Sequence, residues 1–169
     1  MPGAVIGKAL NLGYIGKISR DGDAIVTNRI VSGKSEAIDF GAAVFLNDDN
    51  TVRNVIVTGE TDSETSSDTV DKFVGIAVAE VVQATEYTQQ ASAYLKNKGC
   101  DILVRGSIIV EMGTGTPKAG GKVYFNFATG KFDATDTSAK CFAIPARFTT
   151  GYVDGKGGVE ITILERNLI

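Results

Sequence analysis

The sequence predicts an all-β protein, a small β-barrel or sandwich with an extended N-terminal arm and long loops. Two observations carry this. Val, Ile and Thr are frequent while Leu is scarce, and branched side chains suit a pleated surface but lose χ1 freedom in a helix. Apolar residues also alternate at period two in several short runs separated by turn-forming residues. Hydrophobic residues make up 43% of the 169-residue chain, enough for a real core and too many for a largely disordered protein. The 20 glycines supply turns and bulges.

Each strand has its own pattern. In residues 122–127, Val123, Phe125 and Phe127 face one way and Lys122, Tyr124 and Asn126 the other. In residues 73–82, Val74, Ile76 and Val78 alternate with Gly75, Ala77 and Ala79, a small-residue face that permits close backbone approach. Residues 101–111 place Ile102, Val104, Ile108 and Val110 on one face, with Gly106 as a candidate bulge. Val159, Ile161 and Ile163 repeat the theme. Phe142, Ile144 and Phe148 form another row, which Pro145 demotes to an edge or a bulge.

Turn chemistry links these runs. Asn47, Asp48, Asp49 and Asn50 predict a hairpin between residues 42–46 and 51–57. Residues 154–158 (DGKGG) predict the last hairpin, and Thr129-Gly130 a turn after residues 124–127. Residues 60–71 carry five acids and no base and read as a surface loop. Ala84, Tyr87, Ala91, Tyr94 and Leu95 follow helical spacing, which predicts one short helix within residues 83–99.

Composition narrows function. The net charge of −3 comes from mixed signs, with no basic stripe for a phosphate backbone, so no nucleic acid is expected as a partner. No apolar run reaches the length of a membrane span, so no membrane partner is expected, and glycines and Lys8 interrupt any signal-peptide core. The chain contains no His, which removes Ser-His-Asp and Cys-His nucleophilic sites and the usual zinc ligand sets. Residues 113–122 (GTGTPKAGGK) lack the Ser or Thr after Gly-Lys that a phosphate-binding loop needs, and read as a turn between strands. Asp48 and Asp49 with their flanking Asn residues are too few for a dedicated Ca²⁺ site. Glu80, Glu86, Glu111 and Glu160 are candidates for paired-carboxylate glycoside hydrolysis only because they lie in or near strands, and nothing fixes two of them about a cleft. Tyr14, Tyr87, Tyr94 and Tyr152 are the candidates for sugar stacking. Cys100 and Cys141 are expected to be free buried thiols, since the chain reads as made in a reducing cytoplasm. The expectation is a protein that is not an enzyme, with no catalytic residue, no cofactor, no metal and no small-molecule substrate.

The sequence divides into an arm over residues 1–20 and one β-rich domain over residues 21–169. Val5, Ile6, Leu10, Leu12, Tyr14 and Ile15 are apolar, but Gly3, Gly7, Gly13 and Gly16 break both helical and strand continuity. These six residues are the candidate protein-contact residues, either anchoring an arm on a neighbour or forming a first strand in the domain's own core.

Most of the chain, taken in order, resembles the structural cement, or head-decoration, proteins of tailed bacteriophages. The resemblance lies in the opening MPGAVIGKALNLGYIGKISR, DAIVTNRIV at 23–31 and FGAAVFLNDDNTV at 40–52. It continues in FVGIAVAEVVQAT at 73–85, GCDILVRGSIIV at 99–110, GTPKAGGKVY at 115–124 and TTGYVDGKGGVEITILERN at 149–167. It implies a virion protein on the capsid exterior that binds the major capsid protein, cements adjacent capsomers and clusters with itself as a homotrimer. The alternatives are another virion module, from a tail or head fibre, and a carbohydrate-binding β-sandwich.

Overall fold

The computed structural model describes residues 12–55, 72–79, 92–136 and 140–165. Among them are eleven strands and no helix. In chain order they are β1 (Ile18–Ile30), β2 (Ile38–Asp39), β3 (Ala43–Leu46), β4 (Val52–Arg53), β5 (Phe73–Ala77) and β6 (Ala93–Tyr94). Then come β7 (Gly99–Glu111), β8 (Lys122–Asn126), β9 (Lys131–Asp133), β10 (Cys141–Val153) and β11 (Gly158–Ile163). Nine form one antiparallel sheet, in the order β4-β3-β5-β7-β11-β10-β8-β9 with β1 added on β7. It curls into a half-barrel. Strands β2 and β6 make a separate pair, Ile38 opposite Tyr94.

The long strand β7 organises the sheet, because it pairs with β1, β5 and β11. Its apolar residues do not share one face. Leu103, Ile108 and Val110 enter the main core, whereas Ile102 and Val104 enter a second cluster. The parity switches around Gly106, whose φ of 122° marks the expected bulge, and a switch of parity exchanges faces. Strand β5 departs from strict alternation for a similar reason. Phe73, Ile76 and Val78 point into the main core, while Val74 and Ala77 point into the second. The register slips there, Val44 facing Gly75 but Phe45 facing Phe73. Both faces of β3 and β5 are therefore buried, the second by Ile38, Tyr94 and Val31.

The main core is phenylalanine-rich. Phe45, Phe73, Phe125, Phe127, Phe132 and Phe148 are fully buried, with Phe125 and Phe127 edge-to-face at 5.0 Å. The alternation read in residues 122–127 holds, since Val123, Phe125 and Phe127 are buried and Tyr124 and Asn126 half-buried. Val159, Ile161 and Ile163 lie in the same core. Pro145 stands in an interior strand, since β10 pairs with both β8 and β11. Its place is a bulge, where the register to β8 shifts between Ile144 and Arg147.

The expected turns form. Asn47 N–H donates to Thr51 O at 2.9 Å, and Asn50 takes the left-handed φ of 65°. Gly130 turns β8 into β9 with a φ of 70°. The expected helix is different. Tyr94 lies in strand β6 and Leu95 follows it exposed, because the Tyr94 ring closes the second cluster and packs on Phe40 at 5.3 Å. Ala84, Tyr87 and Ala91 lie outside the described residues, as does the acidic segment 60–71.

Candidate protein-contact site

The chain reaches β1 through a turn that two glycines make possible. Gly13 and Gly16 have φ of 116° and 83°, and Lys17 N–H donates across the turn to Tyr14 O at 3.2 Å. Gly16 then bridges two parts of the domain. Its N–H donates to Ile109 O at 2.7 Å, and its carbonyl accepts from Ala79 N–H at 2.8 Å. A side chain at Gly16 would lie 3.0 Å from Ala79 N, Gly41 N and Phe40 Cβ. Lys17 continues the contact by accepting from Ile109 N–H at 3.0 Å.

This geometry separates the six candidate contact residues. The Ile15 side chain lies against Gly41 of its own domain and is half-buried. Tyr14 is 60% exposed, with the Lys17 ammonium 5.9 Å from its ring centroid. Leu12 is half-buried. Val5, Ile6 and Leu10 lie outside the described residues.

Just beyond, a buried carboxylate anchors the start of β1. Glu160, 5% exposed, accepts from Ser19 Oγ at 2.6 Å and from Arg20 Nε at 3.0 Å. The hydrogen bond and the charge of Glu160 both hold the Arg20 pKa above its ordinary value. Glu160 is thus engaged in structure, and Glu111 pairs with Lys131 at 2.6 Å. Glu80 and Glu86 lie outside the described residues.

The second half of β1 exposes apolar side chains that the sequence reading did not single out. Ile25 is 40% exposed, Val26 44% and Ile30 56%. The register to β7 shifts between Ile25 and Val26, and both side chains are exposed at that irregularity. The signal was present in AIVTNRIV, whose adjacent apolar residues leave a strand no solvent face. A one-faced reading of strands passes over it.

A polar cleft of about 800 Å³ lies between the 32–36 segment and the β3–β4 hairpin. Lys34, Arg53 and Lys72 line it together with Glu36, Asp48 and Asp49, so its formal charges balance. The two aspartates have partners. Asp48 pairs with Lys72 Nζ at 2.7 Å, and Asp49 Oδ1 accepts from Thr51 N–H at 3.0 Å and from Thr51 Oγ1. Among the described residues no three His, Cys, Asp or Glu side chains come together as a metal site. Of the sugar-stacking candidates, Tyr94 is buried with its hydroxyl donating to Val78 O at 2.6 Å, and Tyr152 is half-buried. Tyr87 lies outside the described residues. No helix among the described residues is long and apolar enough to cross a membrane.

The described residues define an all-β protein, with three of its six exposed large hydrophobic residues on β1. Residues 2–165 match the family model described as structural cement protein (E217 gp24/Pam3 gp6). The chain belongs to this family of phage structural cement proteins, and its role is structural, in the virion. A chain from a solved structure titled "The capsid of Myoviridae Phage XM1" has the same fold, with a TM-score of 0.68 over 96% of each chain at 13% identity. Comparison with curated proteins gives no match.

Proposed function

We propose that this protein is a non-catalytic cement that binds the outside of an assembled capsid and bridges neighbouring copies of the major capsid protein. The family match over residues 2–165 carries the reading. A cement recognises a surface that exists only once the lattice has formed, and it opposes separation of capsomers under internal pressure. Modest single contacts suffice, because several copies acting together, in a cluster such as a trimer, add avidity. Synthesis takes place in the host cytoplasm, a reducing compartment that suits two buried cysteines not joined in a disulfide.

Within this reading, the N-terminal arm supplies contacts to the partner, and residues 13–17 fix where it leaves the domain. Tyr14 stands at that exit with its ring exposed. The test is co-sedimentation with expanded capsids beside circular dichroism melting. Deleting residues 2–11, or changing Leu10 and Leu12 to Asp, leaves the melt near wild type and weakens capsid binding. Deleting residues 2–18 also lowers the melting temperature, because both Gly16 hydrogen bonds go with it. Full capsid binding by the 2–11 deletion and by the Asp variant would remove the arm from the interface. No binding by the intact chain would remove the capsid as partner.

A further inference from the structure

We propose that a small basic cavity at the start of β8 binds an acidic side chain that the major capsid protein presents beside an apolar one. The proposal rests on the capsid reading above and gives that partner a second point of contact. The cavity, of about 200 Å³, is lined by Lys122 of β8, by residues 143–147 of β10, and by Leu164 and Glu165 just past β11. Residues 143–146 give it an apolar wall, and Leu164 is 49% exposed. Lys122 and Arg147 are both exposed there.

The two cations are a like-charged pair that the fold brings together and does not compensate. Pro145 lies in the bulge of β10, and beyond it the register to β8 resumes with Arg147 opposite Lys122. Phe148 N–H donates to Gly121 O at 3.0 Å, which fixes that pairing. Like charges directly opposite one another weaken a strand pair. Among the described residues neither cation has a salt bridge. Thr162, opposite Arg147 on its other side, hydrogen-bonds the hydroxyls of Ser107 and Thr149, both at 2.7 Å. Among the described residues Glu165 is the one carboxylate lining the cavity, which therefore keeps a net positive charge. A partner's carboxylate between the cations removes their repulsion, and the apolar wall with Leu164 receives an apolar neighbour. The arm root joins the domain at β7 through Gly16 and Ile109, whereas the cavity spans β8 and β10, with β11 between β10 and β7. Two separate contacts suit a protein that bridges neighbours.

Co-sedimentation with expanded capsids beside thermal melting tests the proposal. Binding by the wild type is measured first, so failure of the capsid reading is distinguished from failure of this site. Lys122→Glu and Arg147→Glu are each expected to weaken binding by roughly tenfold or more, because a like charge then meets the partner's carboxylate. Each also melts at or above the wild type, since opposite charges now face one another across β8 and β10. Glu165→Gln is expected to strengthen binding, because an acid competing for the cations is gone. Lys156→Glu makes the same change of net charge at an exposed site, at the opposite end of β11 from Leu164, and leaves binding unchanged. Reversal variants that bind like the wild type, a Lys156→Glu variant that binds as weakly as they do, or a fall in melting temperature accompanying every loss of binding would each overturn the proposal. So would a wild type that self-associates in sedimentation velocity without capsids and reversal variants that dissociate it, which would give the cavity to a second copy.

Discussion

Gly75 of β5 lies directly against the carbonyl oxygen of Leu103 of β7, with no room for a methyl group between them. The close approach that its small-residue face permits is therefore used inside the chain. Ala77, on the same stretch, is fully buried in the second cluster. Gly75→Ala must push β5 away from β7 at the centre of the sheet. The expected cost is about 1–3 kcal/mol in urea unfolding, the usual range for overpacking a tight site. A neutral substitution would show that the two strands are not in close contact.

The last hairpin depends on one carboxylate. Asp154 Oδ1 accepts from Lys156 N–H at 2.9 Å and Gly158 N–H at 2.7 Å, and the residue is 7% exposed. Asp154→Ala orphans both donors and is expected to cost about 1–3 kcal/mol. Asp154→Asn keeps an accepting oxygen and should cost much less. Thermal melting of the two variants compares them.

Asp48 and Asp49 titrate below the ordinary aspartate range for different reasons. The hydrogen bond and then the charge of Lys72 lower Asp48, and hydrogen bonds from the Thr51 side chain and backbone lower Asp49. A carboxylate with a depressed folded pKa contributes stability that is present above its unfolded pKa, about 3.9. That stability is lost as pH falls through the lower folded value. Both contributions are thus complete at neutral pH and disappear only in acid. In a carboxyl NMR titration, Lys72→Ala should raise the midpoint of Asp48 and leave Asp49 in place. Thr51→Val should raise Asp49, whose bond from the Thr51 hydroxyl is lost.

Cys100 and Cys141 are not joined in a disulfide and are buried in different places, Cys100 in the second cluster and Cys141 with its thiol directed at Asp133 Oδ2 at 3.4 Å. Native protein should react slowly with a thiol reagent and release two equivalents on unfolding. Changing both to Ala should cost about 1–3 kcal/mol in total. An intramolecular disulfide in non-reducing mass spectrometry would contradict the thiol state.

Wherever one face of a strand meets the core and the next residue meets solvent, residue order alone settled the outcome. Val123 and Phe125 of β8 and Phe127 just after it alternated as read, and so did Val159, Ile161 and Ile163 of β11, apart from the burial of Glu160 between them. The hairpins at residues 47–50 and 154–158 were equally legible, because Asn, Asp and Gly hydrogen-bond their own backbone or adopt positive φ without help from distant residues. The candidate contact site was legible only in part. The glycines and apolar residues of the arm were visible, but the contact of Ile15 with Gly41 joins residues far apart in the chain. Bulges decided the rest. At Gly106 and between Val44 and Phe45 the parity of β7 and β5 changes, and Val104 and Val74 go to a second cluster that period-two reading cannot separate from the first. Local patterns follow from torsional and hydrogen-bonding preferences of near neighbours. Which face a strand turns inward after a bulge depends on the partner across the sheet, and only the assembled tertiary structure supplies that partner.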